Sequence, residues 1–111
     1  MNTENRMERK YPIPVRQAIQ EWLVAEGLGP SYNAQRVIRI WNEVSGMERH
    51  TGNVWFKEGV LHVTLTSSVV RSRLSLMTAQ LIESINEALR QDEMFIRGKA
   101  FTRYVHQIIL K

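Results

Sequence analysis

Apolar residues recur at helical spacing along the first half of this chain. Val15, Ala18, Ile19, Trp22 and Leu23 fall at i, i+3, i+4, i+7 and i+8, which is one stripe of a helix. Pro12 and Pro14 suit its first turn, where proline's fixed φ and missing N–H are tolerated. Gly27 and Gly29, with Pro30 behind them, predict its end. A second helix is expected from about Tyr32 to Gly46, with Ser31 or Asn33 as its cap. Ala34, Val37, Ile38, Trp41, Val44 and Ser45 share its buried side, while Arg36, Arg39 and Asn42 point elsewhere. Residues 1–11 carry almost no periodic apolar signal, so a flexible tail is expected ahead of a single domain over 12–111.

The period then changes from 3.6 to 2. Residues 51–57 and 60–66 are rich in β-branched and aromatic side chains, and Glu58-Gly59 between them predicts a hairpin. Leu61, Val63 and Leu65 face one side of the second strand, and His62, Thr64 and Thr66 the wetter other side. Ser67 or Ser68 is placed to cap one long helix running to about Arg90, with Val70, Leu74, Met77, Leu81, Ile85 and Ala88 as its packing stripe. Arg71 and Arg73 flank that stripe on opposite sides, and Glu83, Glu87 and Arg90 cover its back. After a charged turn region at 91–99, residues 103–110 predict a third strand. The order helix, helix, strand, strand, helix, strand gives an α+β two-layer domain, with helices packed on one face of a small three-stranded sheet.

Composition narrows the function classes. At 111 residues there is room for one core. The 43% hydrophobic and 23% charged fractions are those of a globular chain. With no cysteine, disulfide scaffolds, zinc ribbons and thiol nucleophiles are excluded. No apolar run is long enough to span a bilayer and the first residues are unlike a secretory signal, so a soluble cytoplasmic protein is expected. The net charge of +4 is localised: residues 1–96 hold eleven Lys or Arg against eleven Asp or Glu, and Arg97, Lys99, Arg103 and Lys111 follow with no acid. Such a patch attracts phosphates, and it is equally what a solvated chain end looks like.

Enzymatic constellations are scarce. Ser67, His62 and a glutamate could be assembled into a triad on paper, but no nucleophile elbow surrounds the serine, which is sufficiently explained as a helix cap. His62 and His106 suggest no third metal ligand, so no metal, cofactor or small-molecule substrate is expected. Gly27-Leu28-Gly29-Pro30 lacks the lysine of a phosphate-binding loop, follows a helix, and does not make the GxxG clamp of KH domains. Nucleic-acid contact has more support. Arg71 and Arg73 lie near a helix start, where the helix dipole favours anions. Lys57, Arg97, Lys99 and Arg103 could border the same sheet, with Trp55 and Tyr104 as stacking partners.

Four landmarks occur together and in order: Trp41-Asn42-Glu43-Val44-Ser45-Gly46 closing a helix, Arg49-His50-Thr51 approaching a strand, the hairpin Glu58-Gly59-Val60-Leu61-His62-Val63-Thr64-Leu65, and Ser67-Ser68-Val69-Val70-Arg71-Ser72-Arg73-Leu74 opening a helix. The set resembles the DciA family, over roughly residues 15–111. The resemblance implies a KH-like α+β domain without a working GxxG loop. It also implies a non-enzymatic adaptor that binds the replicative DnaB-type helicase and weakly contacts single-stranded or structured DNA. Arg71, Arg73, Arg97, Lys99 and Arg103 are then the candidate phosphate contacts, and no membrane partner is implied. An RNA-binding module and a purely protein-binding domain are the alternatives. The sequence departs from the family where a tryptophan is expected after the serine pair and Val69 or Val70 stands. It also nearly lacks the basic extension of longer members.

Overall fold

The computed structural model describes residues 12–97 and 103–111. The expected tail therefore lies outside the described residues, as do Gly98 and Lys99. Four helices and three strands follow one another: α1 (Ile13–Ala25), α2 (Gly29–Ser45), β1 (Thr51–Lys57), β2 (Val60–Leu65), α3 (Ser68–Ser75), α4 (Thr78–Gln91) and β3 (Gln107–Leu110), with a 3₁₀ turn at Glu48–His50. The sheet order is β1-β2-β3, antiparallel between β1 and β2 and parallel between β2 and β3. The class is α+β with a mixed sheet.

The hairpin follows from its turn. Glu58 and Gly59 both take positive φ, 51° and 82°, the geometry whose twist matches paired strands. A Cβ at position 59 would also crowd the His106 ring, which would have to shift. Trp55 pairs with His62 and Phe56 with Leu61. A bulge between Thr51 and Val54 absorbs one extra residue of β1. Leu61, Val63 and Leu65 are buried as the alternation predicts, and join Val37, Ile40, Trp41, Leu74, Leu81, Ile85, Leu89, Phe95, Val105 and Ile108 in the core. Trp41 is fully buried, and its Nε1–H donates to Thr51 Oγ1 at 3.4 Å while that hydroxyl donates to Met47 O at 2.8 Å.

Several expectations are corrected. The turn after α1 is a complete Schellman closure: Gly27 at φ 72°, its N–H donating to Val24 O and the Leu28 N–H donating to Leu23 O. Pro30, expected to stop α1, instead stands in the first turn of α2, which starts at Gly29 without a side-chain cap from Ser31 or Asn33. The α1 stripe is not a core face. None of its residues is buried, and Val15 and Trp22 are 41% and 57% exposed. The helix lies beside α2 on Ile19 and Leu23, both half-buried, and is tied down by Arg16 to Glu93 and by Gln20 Nε2 to Glu93 O.

The expected long helix is two. The N–H groups of Leu76 and Met77 donate to Arg73 O and Leu74 O, three residues back, and α4 restarts at Thr78. An unbroken helix would have kept Leu74, Met77, Leu81, Ile85 and Ala88 in one stripe. The break turns the buried side of α4 by about 70°, at 100° per residue. Leu81, Ile82, Ile85, Asn86 and Leu89 are now inside, and Met77 is 40% exposed. Ser67 does cap α3, its Oγ accepting from the Val70 N–H at 3.3 Å.

β3 is shorter than the expected strand because the backbone of residues 104 and 105 bonds to a side chain of α4 and not to β2. Asn86, 1% exposed, donates to Val105 O at 2.9 Å and accepts from the N–H groups of Tyr104 at 3.1 Å and Val105 at 2.9 Å. Arg36, expected to point away from the packed side, instead grips Asp92 in a two-pronged, nearly buried pair at 2.7 and 2.9 Å. Asn33 likewise holds both backbone groups of Ile96, at 2.8 and 2.9 Å.

Replacing Asn86 by alanine leaves two buried N–H groups and one carbonyl without partners. Asn86→Ala is expected to cost about 2–4 kcal/mol, read as a lower urea midpoint with an unchanged slope. Amide exchange should show β3 opening before β1 and β2.

Candidate nucleic-acid interface

Residue alternation gives the sheet an inner face against the helices and an outer face of exposed and half-buried positions only. The outer face carries Trp55, His62 and Ile109 in one cross-strand row and Lys57, Val60 and Gln107 in the next. Lys111 extends β3 opposite Thr64, its N–H donating to Val63 O and its carbonyl accepting from the Leu65 N–H. Trp55 is 43% exposed, and its ring lies over His62 at 4.7 Å with 3° between the planes. A flat aromatic pair between two lysines, open to solvent, is the kind of surface on which an unpaired base can stack.

The other expected stacking residue is placed differently. Tyr104 packs at 5.1 Å on Phe56 and edge-on at 4.8 Å to Phe95, inside the layer between sheet and helices. Burial raises its hydroxyl above the ordinary value of 10.0, an effect partly offset by a hydrogen bond with Asn33. It is a packing residue.

The five candidate cations do not form one patch. Arg97 sends its guanidinium to the carbonyls of Arg90 and Leu89, closing the C-terminal end of α4, where a cation is favoured by the helix dipole. Arg103 pairs with Glu83 at 2.9 Å on the solvent side of α4. Lys99 lies outside the described residues. Arg71 and Arg73 stand exposed on α3, beyond the helix break, and neither forms an ion pair among the described residues. Lys57 ends β1 on the outer sheet face.

The chemistry set aside in the sequence is also located. Ser67 is occupied as a cap. His62 is held against Trp55, while His106 lies over Gly59, with its N–H donating to Gly59 O at 2.7 Å. Among the described residues no group of three or more histidines, aspartates or glutamates could hold a metal ion. No helix among them is long and apolar enough to cross a membrane. The buried clamps Asn33, Asn86 and Arg36–Asp92 were not anticipated. The available signal was an asparagine interrupting an otherwise apolar helix face, as Asn86 does beside Ile82, Ile85 and Leu89.

Fold and surface together define a small α+β domain with an open, aromatic-bearing sheet face. A family model described as "Dna[CI] antecedent, DciA" matches residues 14–94, most of the chain, and the chain belongs to the DciA family. No curated protein and no solved structure matches it.

The Tyr104 shift has a pH signature. Above pH 10 the unfolded chain releases this proton before the folded chain does, so the unfolded state binds fewer protons and stability falls as pH rises. Below 10 the group contributes no pH dependence. Unfolding midpoints measured upward from pH 9 should therefore decline more steeply in the native protein than in Tyr104→Phe. Parallel declines would remove the burial argument.

Proposed function

We propose that this protein is a non-enzymatic adaptor that binds the replicative DnaB-type helicase in the cytoplasm and makes weak contact with single-stranded or structured DNA. The observation that carries the reading is the DciA match across residues 14–94, which runs from the first turn of α1 to beyond the end of α4. A KH-like description fits helices packed on one face of a three-stranded sheet, with the glycine cluster used as a helix closure and not as a phosphate clamp.

The helicase side of the proposal falls on α1. Its Val15 and Trp22 are exposed, as is Leu28 in the turn that follows, and an exposed tryptophan is the kind of anchor that protein interfaces concentrate their binding energy on. Mixed with the replicative helicase of its own source, the protein should co-elute at a defined ratio in size-exclusion chromatography with light scattering. Trp22→Ala should abolish co-elution while leaving the fold intact, since α1 contributes no buried residue. Separate elution of the native protein well above micromolar concentration overturns the helicase reading.

The DNA side rests on the outer sheet face. Trp55→Ala is expected to weaken binding of a single-stranded oligonucleotide about tenfold, the scale of one lost base–aromatic stack. Charge reversal at Arg97, Lys99 and Arg103 together should weaken binding and flatten its salt dependence. Unchanged affinity and slope in that triple variant would remove the C-terminal cations from the interface. An RNA of equal length that outcompetes the DNA would make the protein an RNA-binding module.

A further inference from the structure

The outer side of α3 is used by neither part of that reading. Val69 is 73% exposed, Leu76 88% and Met77 40%. At about 100° per residue, Val70 and Leu74 turn toward the core, and Leu74 is buried. Val69, Ser72, Ser75 and Leu76 then occupy the outward side, with Arg73 along one border and Arg71 along the other. The ridge between the arginines is low at its serines, where Ser75 turns its hydroxyl back to donate to Ser72 O at 2.7 Å, and apolar at Val69 and Leu76. The corner that follows satisfies its own backbone through the Leu76 and Met77 N–H groups. Nothing in the local backbone therefore requires a leucine at so open a position.

Along the chain, the charge that flanks this ridge has one sign. No Asp or Glu occurs between Glu58 and Glu83, and Arg71 and Arg73 form no ion pair among the described residues. A phosphate backbone would use the two arginines but leave Val69, Leu76 and Met77 in water. A lipid surface would draw on more cations and a wider apolar face than one eight-residue helix carries. Apolar ridge and cationic borders are satisfied together by a carboxylate-bearing chain with an apolar side chain. We propose that the outer face of α3 docks an acidic peptide segment, its carboxylates on Arg71 and Arg73 and its apolar group on Val69 and Leu76. This does not depend on the helicase reading, which rests on α1.

A synthetic, end-blocked peptide of alternating Asp and Leu, titrated by fluorescence anisotropy at low salt, tests the idea. Saturable binding is expected, weakened about tenfold by Leu76→Ser through lost apolar contact and about threefold by each of Arg71→Glu and Arg73→Glu. Trp22→Ala and Trp55→Ala should leave it unchanged. The substituted side chains are exposed, so thermal melts should match the native protein. An alternating Asp–Ser peptide that binds as well as the Asp–Leu peptide would falsify the apolar half of the site and with it the proposal. So would failure to saturate. An oligonucleotide or anionic vesicle whose binding falls on Arg71→Glu and Arg73→Glu, while peptide binding does not, would assign the arginines to phosphate instead.

Discussion

β3 lies parallel to β2, so after leaving β2 the chain must travel back along the sheet before it can pair again. The return uses α3, α4 and residues 92–106, and its described part beyond α4 is irregular backbone packed against helices. Irregular backbone has no ladder to satisfy its polar groups, and each buried N–H or carbonyl left alone costs on the order of 1–3 kcal/mol. Asn86 meets that demand at Tyr104 and Val105, Asn33 at Ile96, and Arg36 through Asp92, whose carboxylate also accepts from the Met94 N–H. These side chains fix where the return path runs and therefore where β3 docks. Val105 and Phe95, both essentially buried, follow from that placement.

The same contacts go together with the broken helix. Asn86 reaches residues 104 and 105 only if α4 presents it inward together with Ile82 and Leu89, and the phase set by Val70 and Leu74 does not. The break at Leu76–Met77 changes the phase, and Met77, a member of the expected stripe, is 40% exposed. The family landmarks are explained by structure of the same kind: Trp41 fills the core and reaches Thr51, Gly46 closes α2 at φ 65°, Gly59 admits His106, and Ser67 caps α3. They account for the fold, and the surfaces open to partners lie between them.

Local pattern was enough for the hairpin, since alternation in β2 states which side is buried and Glu58-Gly59 states where the chain turns. It was enough for the existence of α1 and α2 but not for their roles. Periodicity says which residues share a face, not what covers it, and the α1 stripe remains largely uncovered. The helix break was illegible because residues 68–90 hold no glycine or proline and keep a continuous apolar stripe, and the Asn86 contacts that go with the new phase reach 18 and 19 positions along the chain. Arg36 and Asp92 lie 56 positions apart, so no local reading could pair them. The candidate interface fared likewise. Charge counting located the C-terminal cations, yet only the fold shows that Arg97 closes α4 and Arg103 meets Glu83.

The domain is therefore unevenly bound together, and the unevenness bears on what it can do. Around β2 and α4 the polar groups of the return path are matched within the chain, and loosening any one of them exposes buried backbone. α1 is held by surface contacts, Arg16 and Gln20 to Glu93 and a half-buried strip on α2, which are worth little individually. Its apolar side chains contribute little to folding while they remain in water. Burying Trp22 against a partner would release apolar surface from water at about 25 cal/mol per Å² without disturbing the core, so binding free energy there is not offset by a loss of internal packing. A well-matched centre with weakly held, apolar edges is a suitable construction for an adaptor, because partners can gain contact area at the edges while the clamps at Asn33, Asn86 and Asp92 hold α2, α4 and the approach to β3 together.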